Sequence, residues 1–290
     1  MSSRSFPLRA FLLTAAAPVI WSTGGIGVRI LEVPPTTVLF WRSLFTTFTL
    51  LLWSVLSFRK DTKAVYADNL RRGWPVALFL AMSFISYIYS VTNTSVADSL
   101  LIQGTAPIFI VLLGWIILRD RPGVMTLVAL VMVIAGISII MVYSGPGRGL
   151  LGNIFGLIKA LSFASAAVAI RGIRKINHLP ATALAALITA FFALMTGADL
   201  RVGLGELAVL AYLGIFQVGL GFILFVTWSG SLRASQTGLL VILEAVLGPL
   251  WPWIFLGERP SSATFVGGAV IIAALVLHSL YFERKSPRLV

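Results

Sequence analysis

The chain has 290 residues, of which 58% are hydrophobic and only 11% are charged, and its formal net charge is +12. A soluble domain carries about a quarter charged residues, so a soluble core cannot absorb this composition. Because cysteine is absent, disulfides, thiolate chemistry and a cysteine-based metal site are excluded. The composition therefore predicts an integral membrane protein.

Apolar runs of about 20 residues recur along the whole chain, and each can cross a hydrocarbon core of about 30 Å. Lipid cannot satisfy open backbone groups, so every span should be helical. The predicted fold is an all-α integral membrane protein with ten transmembrane helices, the first of them an uncleaved N-terminal span. In chain order the predicted spans are 10–31, 36–57, 74–93, 97–118, 123–143, 151–170, 180–197, 206–228, 234–256 and 261–281.

Positive charge is distributed unevenly between the predicted loops. With the N-terminus inside the cell, the cytoplasmic segments hold 16 of the 22 Lys and Arg residues, whereas the outer segments hold four. This bias predicts that both termini are cytoplasmic. The excess positive charge then faces anionic lipid, and we do not expect a nucleic-acid partner.

One stretch of the chain occurs twice, in residues 105–122 and again in residues 244–260. At an offset of 138 residues Trp115 falls on Trp253, and an acidic residue followed by Arg-Pro comes soon after in both copies. The repeat predicts two homologous units within one membrane domain, residues 1–144 and residues 151–290.

Each unit contains an odd number of predicted spans, so the two units should enter the bilayer from opposite sides. Inverted five-helix repeats of this kind build transporters, with a binding site near the midplane where the units meet. We therefore expect a carrier that works by alternating access.

Several short motifs follow one another in a recognisable order. They are Ile20-Trp-Ser-Thr-Gly24, Pro34-Pro35, Trp41-Arg42, Leu243-Glu244 and Leu256-Gly-Glu-Arg259. Together with the duplicated plan they resemble the EamA-type members of the drug/metabolite transporter superfamily. The resemblance implies a bacterial inner-membrane exporter of small metabolites, and it favours amino acids, including aromatic ones, as the substrate.

Two ionisable side chains fall near the middle of predicted spans, where a charge costs about 2.5–3.5 kcal/mol on insertion scales. Lys159 is about eight residues into span six and Glu244 is about ten residues into span nine, which places both near mid-membrane at 1.5 Å per residue. They could clamp a zwitterion, with Lys159 on its carboxylate and Glu244 on its ammonium group. They could instead pair only with each other, and proton coupling through Glu244 stays as open as facilitated diffusion.

A third charge, Arg42, lies about six residues inside the outer edge of span two. A long side chain so near the surface can extend its charged end to the interface, which favours a structural role.

Polar side chains form a stripe along span three, at steps of three and four residues. The stripe can line a cavity or make hydrogen bonds between helices. Its members are Ser83, Ser86, Tyr87, Ser90, Asn93 and Thr94.

Aromatic side chains can line a substrate site, although the rings could equally face lipid. With the polar residues of spans four and eight, they complete the predicted set of substrate-binding residues. That set is Lys159, Glu244, Trp21, Tyr87, Ser90, Gln103, Phe163 and Gln217.

Other classes of function fit the sequence less well. No catalytic residue, metal site or cofactor is predicted, because an enzyme would need a positioned nucleophile with its base or paired carboxylates. A channel would need filter loops or charged rings. The expected partners are a small-molecule substrate and the lipid bilayer, without an obligate protein partner. Drugs, nucleosides and other small organic solutes remain the alternative substrates, moved by proton coupling or facilitated diffusion.

Overall fold

The computed structural model describes residues 8–119, 123–143, 149–173, 178–229, 232 and 234–285. All the regular structure in these residues is helical, which confirms the all-α class. Most of the predicted connection between the units, residues 144–149, lies outside the described residues. So does the acidic-Arg-Pro end of the first repeat copy, residues 120–122.

The helices of the first half follow one another with short connections. They are α1 (Leu8–Ser22), α2 (Gly24–Arg29), α3 (Pro35–Phe58), α4 (Thr62–Arg72), α5 (Trp74–Asn93), α6 (Val96–Gln103), α7 (Ala106–Leu118) and α8 (Val124–Tyr143).

The second half contains seven α-helices and a π-helical segment in its described residues. They are α9 (Leu150–Gly172), α10 (Leu179–Met195), α11 (Leu204–Ala211), the π-helical segment Tyr212–Leu220, α12 (Gly221–Trp228), α13 (Ala234–Leu247), α14 (Leu250–Leu256) and α15 (Ser262–Lys285).

Ten helical stretches of the described chain are apolar. Six are long enough to cross a membrane, namely Leu8–Arg29, Pro35–Arg72, Trp74–Asn93, Val96–Ile117, Leu150–Ile170 and Leu204–Trp228. Four are shorter, namely Leu127–Val142, Leu179–Met195, Leu240–Leu256 and Ser262–Leu277. The fold is therefore that of a multi-pass membrane protein.

Several predicted spans are interrupted rather than continuous. The first breaks at Thr23, between α1 and α2, ahead of the glycines of α2. The fourth breaks between α6 and α7, where Pro107 cannot donate a backbone hydrogen bond. The ninth breaks between α13 and α14 at Gly248-Pro249 for the same reason. Proline and glycine thus divide spans that hydrophobicity alone predicts as single helices.

The eighth predicted span contains the π-helical segment between α11 and α12. Thr46 of α3 donates a hydrogen bond to the Gly214 carbonyl of this segment, at 3.1 Å. Gly214 itself packs against Phe45 and the Arg42 carbonyl of α3, so a side chain there would collide with α3. Such π-helical turns often occur at functional sites, and this one carries Gln217.

The longest polar stretch of the sequence also folds into a helix, α4. Tyr66 of α4 donates a hydrogen bond to Ser54 of α3 at 3.2 Å, and Asn69 is buried. This helix therefore lies against the end of α3 rather than forming a free loop.

Candidate functional site

A polar centre forms where helices from both halves of the sequence meet. Arg42 of α3 is only 5% exposed, and its Nη2 donates a hydrogen bond to Gln217 Oε1 at 3.2 Å. Its guanidinium lies 5.0 Å from the centre of the Tyr87 ring. The expectation that Arg42 extends to the interface is therefore wrong, because a buried amide and a ring face hold it inside the bundle.

Gln217 connects this arginine to the break in the first span. Its Nε2 donates a hydrogen bond to the Trp21 carbonyl at 3.1 Å. Gly24 lies directly beside the Gln217 side chain. A Cβ at this position would be 2.6 Å from both Gln217 Nε2 and the Tyr87 hydroxyl. The missing side chain at Gly24 therefore allows Trp21, Tyr87 and Gln217 to meet.

Several buried polar atoms in this region have no hydrogen-bond partner. Buried donors and acceptors are normally paired, so these atoms are available to water or to a ligand. They are Trp21 Nε1, Arg42 Nε and Tyr87 OH.

Lys159 of α9 faces away from the exposed apolar side of its helix. Ile154 and Leu161 are 41% and 46% exposed. At about 100° per residue Lys159 lies about 140–160° around the helix from both. Its Nζ lies 5.6 Å from the centre of the Phe163 ring, one turn further along α9. Both side chains therefore point toward protein rather than toward the lipid-facing side.

Glu244 of α13 is arranged in the same way. Val246 is 39% exposed, and Glu244 lies about 160° around the helix from it. The charge of Glu244 interacts with those of Lys159 and Arg42. Ion pairs in the described part of the chain are formed by Arg29 with Glu258 and by Arg72 with Asp68, so Glu244 pairs directly with neither cation.

The polar stripe of α5 serves more than one purpose. Ser90 shares a hydrogen bond of 2.7 Å with Ser99, which also accepts one of 2.6 Å from Gln103 Nε2. Thr94 donates to Asn153 Oδ1 at 2.9 Å. Ser90 and Gln103 therefore belong to a network between α5 and α6, whereas Tyr87 belongs to the arginine centre.

Aromatic rings pack beside both parts of the polar centre. Trp21 lies 5.2 Å from each of the rings of Phe222 and Phe225. Gly221 lies directly against the Trp21 indole nitrogen, so a larger residue there would displace the ring. Phe163 packs against a buried cluster around Phe84. Both predicted aromatic residues thus contribute to packing between helices.

A second polar cluster forms at the ends of several helices. Arg29 Nε donates to Glu258 Oε2 at 3.1 Å, and Arg29 Nη2 donates to the Thr94 carbonyl at 2.8 Å. The backbone N–H of Val96 donates to Glu258 Oε1 at 2.8 Å. We call Arg29, Thr94, Val96 and Glu258 the clasp, since they join the ends of α2, α5 and α6 to the α14–α15 connection.

Comparison with known proteins identifies the kind of protein to which this arrangement belongs. The model of the EamA-like transporter family matches the chain twice, over residues 8–142 and 150–280. The chain belongs to this family. The resemblance inferred from the motifs is therefore confirmed, and this EamA-like protein is a transporter rather than an enzyme.

Relatives named as transporters or exporters agree with this family. An uncharacterized transporter of Archaeoglobus fulgidus is 28% identical over 70% of this chain and 74% of its own. The pseudopaline exporter CntI of Pseudomonas aeruginosa is 24% identical over 71% of this chain and 75% of its own. The uncharacterized transporter YxxF of Bacillus subtilis is 22% identical over 89% of this chain and 86% of its own.

The fold of this EamA-like transporter also has a counterpart among solved structures. One crystal structure matches it with a TM-score of 0.65 over 96% of this chain and 99% of the other, at 20% identity. At this identity the likeness shows the fold alone.

Proposed function

We propose that this transporter exports small metabolites, in particular amino acids, across a bacterial inner membrane by alternating access. In this proposal ten spans form two inverted five-helix repeats, residues 1–144 and 151–290, around a substrate site at the centre. The observation that carries the proposal is the buried Arg42, which meets Gln217 and Tyr87 beside unpartnered buried polar atoms where helices of both halves come together.

Two observations support the inverted repeats. The family model matches each half separately, with a boundary close to the predicted one. Contacts between helices also correspond between the two halves. The contact of α3 with the π-helical segment corresponds to the contact of α10 with α5. The contact of α9 with α7 corresponds in the same way to the contact of α1 with α13. Two homologous units related by a two-fold axis are expected to pack in this reciprocal manner, and the odd number of predicted spans in each unit makes the repeats inverted in this proposal.

The clasp supports alternating access. It joins the first half to the second through the ion pair of Arg29 with Glu258 and the hydrogen bond from the Val96 N–H to Glu258. In the proposed orientation the clasp faces outward. A carrier must close one end while the substrate exchanges at the other, and polar bonds that can break and reform suit such a closure.

The chain allows a direct test of orientation because it contains no cysteine. Single cysteines can replace Lys63 in α4 and Arg201 before α11, both of which are exposed. We expect a membrane-impermeant maleimide to label Arg201→Cys in whole cells and Lys63→Cys only after lysis. Labelling of both positions in intact cells would contradict cytoplasmic termini.

Flux into proteoliposomes tests the transport proposal. We expect labelled amino acids to exchange across the bilayer, and Lys159→Ala to abolish this flux because it removes the predicted contact with the substrate carboxylate. Lys63→Ala is the matched control, since Lys63 is exposed on α4. Repeating the measurement with and without a pH gradient distinguishes proton coupling from facilitated diffusion. Unchanged flux in folded Lys159→Ala would remove this lysine from the site.

A further inference from the structure

We propose that the substrate carries two acid groups and one ammonium group, and therefore a net negative charge. This inference rests on the proposed function, because it assumes that the polar centre is the substrate site. It replaces a simple zwitterion with an amino acid that bears a second carboxylate.

The charges around the polar centre do not balance. Two cations, Arg42 and Lys159, interact with one carboxylate, Glu244, which leaves one positive charge in excess. Two further acids that the structure describes have partners elsewhere. Asp98 accepts a hydrogen bond from Thr264 at 2.7 Å, and Glu258 is held by Arg29 in the clasp.

Arg42 is a buried cation that forms no ion pair with a described acid. Its hydrogen bond goes to the neutral amide of Gln217, and its Nε is buried without a partner. The face of Tyr87 attracts the cation but carries no net charge. An uncompensated buried charge is strongly unfavourable. A negatively charged group of the substrate would remove this penalty.

The available donors fit a carboxylate beside Arg42. Tyr87 OH is also buried and unpartnered, and it lies on the same side of Gly24 as Gln217. A guanidinium presents its donors as a planar fork that matches a carboxylate. We therefore assign one substrate carboxylate to Arg42 and Tyr87, the second to Lys159, and the ammonium group to Glu244.

Matched acid and amide compounds test this assignment. The probes are L-glutamate against L-glutamine, and L-aspartyl-L-phenylalanine against L-asparaginyl-L-phenylalanine. Purified protein is titrated with each while its unfolding temperature is measured. We expect the acid of at least one pair to reach half of its maximal effect at roughly tenfold lower concentration than the amide, since charged hydrogen bonds add this much affinity.

The variant Arg42→Gln should reduce this preference to less than about twofold, as expected for loss of one charged contact. Arg9→Gln is the matched control because Arg9 is exposed, 5.3 Å from the ring centre of Trp228, and it should keep the preference. If Arg42→Gln does not fold, the comparison of acid and amide probes on the wild-type protein still tests the inference. Equal response to acid and amide, or no response to either acid, overturns the inference. Flux of neutral amino acids would then leave the proposed function standing.

Discussion

Glu244→Gln is expected to lower transport by roughly ten- to a hundredfold, the range set by losing a hydrogen bond to a charged group. Glu244 is the carboxylate whose charge interacts with both Lys159 and Arg42. Its neutralisation would remove the predicted partner of the substrate ammonium group and the carboxylate whose charge interacts with both cations. The measurement is exchange of labelled substrate in proteoliposomes containing equal amounts of folded protein.

Two further variants make this result interpretable. Glu32→Gln makes the same chemical change at an exposed position and should transport normally. Glu244→Asp keeps the charge on a shorter side chain, so we expect intermediate transport. Wild-type transport by Glu244→Gln, in protein that unfolds at the wild-type temperature, would show that this carboxylate does not contact the substrate.

Breaking the clasp is expected to open the end of the bundle that it closes. Glu258→Gln removes the ion pair with Arg29 and weakens the bond from the Val96 N–H. The two charged side chains are 30% and 26% exposed, so the pair is worth only about 1 kcal/mol. A shift of this size changes the ratio of closed to open molecules about fivefold.

Accessibility of a buried reporter measures this shift. Ser90 lies one helical turn from Thr94 of the clasp and is fully buried. A cysteine in place of Ser90 should react about fivefold faster with an external impermeant maleimide when Glu258→Gln is also present, from the same population shift. An unchanged rate would show that the clasp does not control access.

The ion pair between Asp68 and Arg72 provides the control for this experiment. Its two members are exposed, lie four positions apart within α4, and join no separate helices. Arg72→Gln should therefore leave the reactivity of the reporter unchanged. Exchanging the clasp charges, with Arg29→Glu and Glu258→Arg together, should restore the ion pair and slow the reaction again, although the acceptor for Val96 is lost.

The two midplane charges could be found from the sequence, because the free-energy cost of a charge in lipid depends only on its position within an apolar run. Lys159 and Glu244 each interrupt an apolar run, and the lipid environment makes such a position unfavourable whatever the rest of the fold does. The structure turns both away from the exposed apolar sides of their helices. Their contact with substrate stays a prediction.

Arg42 illustrates what sequence reasoning missed. Its distance from the predicted end of span two suggested that it could reach the interface, and nothing local contradicts this. Its partners, Tyr87 and Gln217, lie 45 and 175 residues away in the chain. The available signal was the motif Trp41-Arg42, which belongs to the family resemblance even though hydrophobicity gives it no role.

The amino-acid sequence by itself determined the helical class, the membrane environment and the family, because these follow from apolar runs and motifs that each segment carries alone. Only the tertiary structure decided where the spans break around the site, that Arg42 is buried against Tyr87, and that Arg29 meets Glu258. Each of these depends on side chains that distant helices bring into hydrogen-bonding range, and chain order does not specify which helices become neighbours.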